Sequence, residues 1–233
     1  MRAPADLADP PFIPSGSPLP EFSDLFPDLV PYRTGLALQQ AAADRVTTGA
    51  DSGTVMFLEH EPVFTAGRRA ERGEYPTGDT PVVPVNRGGR VTWHGPGQLV
   101  AYPIIRLANG LGGADLVHAM EAALIATASE FGVVGHLIDG RTGVWVSQGP
   151  ATGQAPPAKL AQIGIHVGRR IVTHGVALNC SNDLAVFETF TPCGISDAGV
   201  TSLTRETGRT VTPTDAYPAL RRHLFPVIER FVA

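Results

Sequence analysis

One lysine, Lys159, stands among seventeen arginines in this 233-residue chain. The two cations differ chemically, since a guanidinium stays protonated at any accessible pH whereas a desolvated ammonium can release its proton and act as a base. Lys159 is therefore either a position kept for proton transfer or the survivor of a composition that favours Ala, Gly, Pro and Arg. The two cysteines are the candidate nucleophiles. Cys193 lies in Thr191-Pro-Cys-Gly-Ile195, where Pro192 restricts the residue before it and Gly194 relieves the one after, so a turn exposes its thiol. Cys180 follows the apolar run Val-Ala-Leu-Asn and reads as a buried packing residue. A thiol of ordinary pKa, about 8.5, is mostly protonated at neutral pH and needs a nearby cation or base to attack anything. Lys159 is one such partner.

Arg87 to Gln98 (RGGRVTWHGPGQ) packs four glycines, a proline and a histidine between two strand-like runs. That density lets backbone approach a ligand and present amide groups to it, although a glycine-rich hairpin turn has the same composition. It is neither a GxxxxGK[ST] phosphate loop nor a GxGxxG opening a helix. Two His-Gly pairs, His94-Gly95 and His174-Gly175, sit at glycine-permitted bends. Each histidine suits either a hydrogen-bonded core position or a catalytic one.

These segments must be held by a folded body. Hydrophobic residues make up 43% of the chain and charged residues 17%, enough for one sizeable core and too little charge for disorder. Residues 1–30 are acidic and proline-rich and read as an extended tail, with Phe12, Phe22 and Phe26 available to pin it to the rest. Residues 31–233 form the domain. Helical spacing predicts helices over Tyr32 to Val46, Asp115 to Phe131 and Thr214 to Phe231, the second stopped by Gly132 and the third started by Thr212-Pro-Thr-Asp. Strands are predicted at Thr54–Glu59, Val82–Val85, Val91–Trp93, Leu99–Ile105, Val133–Ile138, Val144–Ser147, Leu160–Val167 and Ile171–Leu178. Pro103 assigns the fourth of these to an edge or a bulge. Strands in consecutive groups favour an α+β domain with a mixed, largely antiparallel sheet and packed helices over a doubly wound one. Gln148 to Ala158, rich in Gly, Pro and Gln, reads as a mobile loop before Lys159.

A net charge of −4 argues against a nucleic-acid footprint, and no run of eighteen apolar residues predicts a membrane span. The acidic start lacks the basic and apolar regions of a signal peptide, the cysteines form no disulfide framework, and no Cys/His cluster has metal-ligand spacing. A reducing cytoplasm is the expected location.

Taken together, RGGRVTWHGPGQLVAYP at 87–103, KLAQIGIHV at 159–167, THGVALN at 173–179, PCGI at 192–195 and VTSL at 200–203 resemble the lipoyl(octanoyl) transferase family, the protein N-octanoyltransferases of lipoate biosynthesis. The resemblance spans about residues 32–210, and Lys159 and Cys193 stand 34 positions apart, as the family's dyad does. It implies a fold similar to the catalytic domain of biotin and lipoate protein ligases. It implies Cys193 as nucleophile and Lys159 as the group that lowers its pKa and serves as acid and base. The family's substrate contacts carry over to Arg87, Gly88, Gly89, Arg90, Val91, Thr92, Trp93 and His94, to Gln162, Ile163 and Gly164, and to Gly175, Val176 and Ala177. Trp93 stands where the family often has tyrosine. His174 and Gly194 are possible supports, the latter with Gly175 as a source of oxyanion-binding amides.

The implied reaction takes an octanoyl group from octanoyl-acyl carrier protein, through a cysteine thioester, to a lysine amine. The implied acceptors are the lipoyl domains of 2-oxoacid dehydrogenase E2 subunits and the glycine cleavage H protein. No cofactor or metal is implied. Three other classes stay open: an ATP-using lipoate or biotin ligase, although their glycine-arginine nucleotide loop is missing here; a cysteine hydrolase pairing Cys193 with His94 or His174; and a binding module in which Cys193 is structural.

Overall fold

The computed structural model describes residues 19–76, 78–147, 156–190 and 197–233. In chain order the strands are β1 (Glu21–Val30), β2 (Gly53–His60), β3 (Val63–Ala66), β4 (Val82–Pro84), β5 (Val91–His94), β6 (Gln98–Ile105), β7 (His136–Ile138), β8 (Arg141–Val146), β9 (Ala158–Gly168), β10 (Ile171–Asn179) and β11 (Gly199–Val200). The helices are α1 (Tyr32–Thr48), α2 (Gly113–Glu130), α3 (Leu203–Thr207) and α4 (Pro213–Phe231). An eight-stranded sheet runs in the order β1-β2-β6-β10-β9-β8-β7 with β11 added along β9, and a small sheet runs β4-β3-β5. In the large sheet only β1–β2 and β11–β9 are parallel, so the α+β expectation of a mostly antiparallel sheet holds.

Alternation along the strands sets the layers. Val55 and Phe57 of β2 and Leu99 and Ala101 of β6 face one side, where Leu116, Met120 and Leu124 of α2 meet Leu220, Leu224 and Ile228 of α4. The intervening Met56, Leu58, Val100, Tyr102 and Ile104 face the other, against Ala42, Ala43 and Val46 of α1. Cys180 lies in the first of these layers with no exposed surface, as a packing residue. The helix ends carry local signals: Thr212 Oγ1 accepts the Asp215 amide at 3.2 Å while Asp215 Oδ2 accepts the Thr212 amide at 2.8 Å, and Gly49 closes α1 at φ 74°. No helix among the described residues is long and apolar enough to cross a membrane.

Two differences from the sequence expectations have physical causes. Residues 21–30, assigned above to the tail, form the edge strand β1, which pairs only with β2 and loses register between Asp24 and Leu29, around Pro27. An edge tolerates a missing amide donor that a central strand does not. Phe22 packs 5.5 Å from Phe225 and Phe26 packs 5.7 Å from Tyr217, so both fix this strand to the body, while Phe12 lies outside the described residues.

Pro103, conversely, occupies a central strand. β6 pairs β2 along Gly53–Leu58, but its ladder with β10 stops at Ala101–Val176 and resumes in the same register only as the bridge Arg106–Ile171. The gap absorbs the absent amide. Opposite it stands Gly175, where a Cβ would come within 2.0 Å of the Ala101 carbonyl oxygen and 2.8 Å of Pro103 Cδ. Proline and glycine thus fit each other across an interrupted ladder, and His174 just before adopts the left-handed φ of 59° that the interruption requires.

Candidate active site

Three of the segments singled out above converge on one face of the large sheet. Lys159 begins β9, opposite Trp145 of β8 on one side and Val200 of β11 on the other. It is only 6% exposed, and its ammonium lies 4.8 Å from the Trp145 ring centroid, a cation–π distance. Gly143, at φ 120°, makes room for it, because a Cβ there would stand 2.7 Å from Lys159 Cε. The cavity it borders is narrow, about 50 Å³.

Its walls contain Arg87, Gly89, Arg90, Thr92 and His94 from the glycine-rich segment, Gln162, Ile163 and Gly164 from β9, and His174, Gly175, Val176 and Ala177 from β10. Val91 and Trp93 do not line it. The two-residue period of β5 sends them to the opposite face, where they pack with Phe64 and Phe187. Gly88 lies behind the wall, its amide bonded to the Ile165 carbonyl at 2.9 Å. Cys193 and Gly194 lie outside the described residues, as does most of the loop 148–158. Their flanks are described: Phe190 packs edge-on to Phe64 at 5.1 Å, both Asp197 carboxylate oxygens accept from Arg141 at 2.9 and 2.7 Å, and Gly199–Val200 pair with Ala158–Lys159.

Arg87 is buried with its guanidinium in use. Nη2 donates to the carbonyl and hydroxyl oxygens of Thr65, each at 2.7 Å, and Nη1 donates to the Gly88 carbonyl at 2.9 Å. Arg90 instead pairs with Glu74 and, at 3.3 Å, with Glu71.

A buried hydrogen-bond chain ties the cavity to the Lys159 strand. His94 Nδ1 donates to Gln98 Oε1 at 2.7 Å, Gln98 Nε2 donates to Asn179 Oδ1 at 2.9 Å, and Asn179 Nδ2 donates to the Thr201 carbonyl at 3.0 Å. The Thr201 amide in turn donates to the Lys159 carbonyl at 3.0 Å. Gln98 and Asn179 are directly opposed in the β6–β10 register. Neither stood out in the sequence; the available signal was a polar residue bounding an otherwise apolar strand run. Tyr32 and Tyr102 also line the cavity unanticipated, sharing a hydrogen bond, and burial pushes the Tyr32 phenol up to about 12.

Three histidines around this cavity are held neutral, with burial the largest cause in each. His60 is pushed down to about 4; its Nδ1 donates to the Val30 carbonyl at 2.7 Å and its Nε2 accepts from Tyr102 at 2.8 Å. His94 is pushed down to about 3, with His60 and Arg87 adding to the burial. His174 is pushed down to about 4, with Arg87 and His166 adding to it; its Nε2 donates to Asn86 Oδ1 at 2.7 Å. Each folded value lies below the ordinary 6.5, so the unfolded chain takes up protons first. The resulting penalty is absent above about pH 6.5 and grows as pH falls toward 4, by about 1.4 kcal/mol per pH unit for each ring. Urea unfolding at pH 7, 6 and 5 is expected to show stability dropping steeply over this range. Equal stability at the three values would contradict neutral burial of these rings.

The sequence profile of the lipoyl protein ligase A/B catalytic domain matches residues 31–225. An octanoyltransferase of Clavibacter sepedonicus is 50% identical over 195 residues, covering 84% of each chain. One of Salinispora tropica is 47% identical over 210 residues, covering 87% of this chain and 97% of the other. Among solved structures, a bipartite lipoate protein ligase of Thermoplasma acidophilum superimposes with a TM-score of 0.66 at 12% identity, covering 91% of this chain and 84% of that one. A lipoate-protein ligase A bound with ATP gives 0.60 at 14% identity with the same coverage. At such identities the structural likeness is one of fold.

Proposed function

The chain belongs to the lipoyl protein ligase A/B catalytic-domain family and, within it, to the octanoyltransferases, and from this membership of an acyltransferase family we propose a complete route for the acyl group. Octanoate travels from the thioester of an acyl carrier protein, through a thioester on Cys193, to the lysine amine of a lipoyl domain, such as those of 2-oxoacid dehydrogenase E2 subunits or the glycine cleavage H protein. Residues 31–233 are the catalytic domain, working in a reducing cytoplasm that keeps Cys193 a thiol.

The observation that carries the reading is the setting of Lys159. The one lysine of the chain is buried at the wall of the cavity built by the three motif segments, and the strand that follows the Cys193 segment pairs with it. An ammonium beside a thiol favours the thiolate. The Cys193 sulfur attacks the donor carbonyl, the carbon–sulfur bond to the carrier arm breaks, and the departing sulfur takes the Lys159 proton. The neutral amine then accepts a proton from the acceptor lysine as its nitrogen attacks the Cys193 thioester. Amide forms, and the thiolate and ammonium return together. Arginine cannot perform this proton transfer.

The histidines support the choice of base. His94, at about 3, and His174, at about 4, are too weakly basic to take a thiol proton at neutral pH, which disfavours a cysteine–histidine hydrolase. Substrate is bound by Arg87 to His94, by Gln162, Ile163 and Gly164, and by Gly175, Val176 and Ala177, with Gly175 and Gly194 amides facing the oxyanion and His174 as support. Within the first stretch, Gly89, Arg90, Thr92 and His94 face the cavity, and Val91 and Trp93 brace the strand behind them. An eight-carbon chain needs more room than about 50 Å³, so its entry requires wall side chains to part.

The test supplies octanoyl-acyl carrier protein and an apo lipoyl domain to the purified chain. An octanoyl amide on the acceptor lysine, formed without ATP, is expected. Release of the acyl group only as free octanoate would replace transfer with hydrolysis.

A further inference from the structure

Beside this cavity a second cleft of about 320 Å³ opens between α1 and the β9–β10 hairpin, and His174 lines both. Its wall contains no carboxylate. Polar groups come from Gln39, Asn86, His166, Arg169 and Thr173, and the chain as a whole carries a net charge of −4, so the local absence of acid is selective.

Three buried polar atoms at this cleft have no hydrogen-bond partner: Gln39 Nε2, His166 Nδ1 and Thr173 Oγ1. His166 and Thr173 are cross-strand partners on one face, and Gln39, only 3% exposed, projects from α1 opposite them. Unpaired buried groups each cost about 1–3 kcal/mol, so three at a single cleft mark a surface that a polar ligand completes. The remaining geometry is held open for it. Gln39 Oε1 accepts the His174 amide at 2.8 Å, fixing the left-handed His174 where the two spaces meet. Arg169, at the exposed hairpin turn, sets a cation at the rim.

We propose that this cleft binds the phosphopantetheine arm of the acyl donor, with Arg169 meeting the phosphate and Gln39, His166 and Thr173 meeting the amide groups. The inference rests on the reading of the donor as a carrier-bound thioester. The arm then lies along β9, whose seven residues from His166 to Lys159 span roughly 23 Å, delivering the thioester to the end where Lys159 stands. One phosphate and two amides on a flexible chain match a cleft of one cation and several uncharged donors and acceptors.

Calorimetric titration of the full chain with 4′-phosphopantetheine tests the cleft without relying on turnover. Arg169→Asn suits the left-handed turn, and Thr173→Val keeps the side-chain shape. Each is expected to weaken binding about tenfold, the size of one charge-assisted or buried hydrogen bond. Inorganic phosphate should bind wild type far more weakly than the whole arm does. Unchanged 4′-phosphopantetheine binding in both variants, or phosphate alone binding as well as the arm, would overturn the proposal. Kinetics give the second readout: the preference for octanoyl-acyl carrier protein over octanoyl-N-acetylcysteamine, which lacks the phosphate, should fall about tenfold in Arg169→Asn. A loss shared equally by both donors would make the role structural and also overturn it. If wild type instead transferred from no thioester donor, the reading of the function would fall, and the titration would still judge the cleft.

Discussion

Cys193→Ala is expected to lower octanoyl transfer by about 10⁴-fold or more, the scale on which loss of a covalent nucleophile acts. Cys180→Ala should leave transfer nearly intact. The two thiols differ in environment rather than in chemistry. Cys180 is fully enclosed in the layer between the sheet and helices α2 and α4, and burial pushes its thiol well above the ordinary range. It is therefore uncharged and unreachable at neutral pH. Cys193 lies in a segment whose flanks are anchored beside the cavity, by Phe190 on Phe64 and by Asp197 on Arg141. Steady-state transfer to an apo lipoyl domain checks both variants, and equal losses in the two would remove the distinction on which the mechanism depends.

Lys159→Arg is expected to reduce transfer by about 10² to 10³-fold while leaving the fold intact. The substitution keeps the charge, and a guanidinium stacks on Trp145 as readily as an ammonium does. What it removes is a group that can give up a proton to the leaving sulfur and collect one from the attacking amine. Thiolate formation should survive, since positive charge remains, so alkylation of Cys193 by iodoacetamide is expected to slow far less than transfer does. Transfer at the wild-type rate would reduce the role of Lys159 to electrostatics. An equal fall in alkylation and transfer would place its contribution in forming the thiolate.

The parts of the fold that were legible are those where one period dominates. α2 shows its buried face as Leu116, Met120, Ala123, Leu124 and Thr127, and β2 and β6 are long apolar runs because both of their faces are covered. Proline misled in both directions. Pro27 hid an edge strand that tolerates it, and Pro103 indicated an edge where the molecule instead opens the ladder and places Gly175 opposite. The four-residue β3 and the single-turn helix α3, capped by Ser202 accepting the Arg205 amide at 3.2 Å, are too short for periodicity to reveal.

The site divides in the same way. Lys159, His94 and Arg87 were found because a lone lysine and a glycine-rich histidine segment are unusual residue types in unusual company. The chain from His94 through Gln98 and Asn179 to Thr201 was not, because Gln98 and Asn179 are 81 positions apart and meet only once β6 pairs with β10. The alternation of β5, which turns Thr92 and His94 inward and Val91 and Trp93 away, likewise follows from which face of the strand the cavity occupies.

The central claim, a covalent acyl-enzyme on Cys193, is tested most directly by intact mass measurement after mixing the chain with octanoyl-acyl carrier protein in the absence of acceptor. One octanoyl group removable by hydroxylamine, mapped to the peptide containing Cys193 and absent from Cys193→Ala, is the predicted result. An adduct on Cys180, or one that persists in Cys193→Ala, would contradict it.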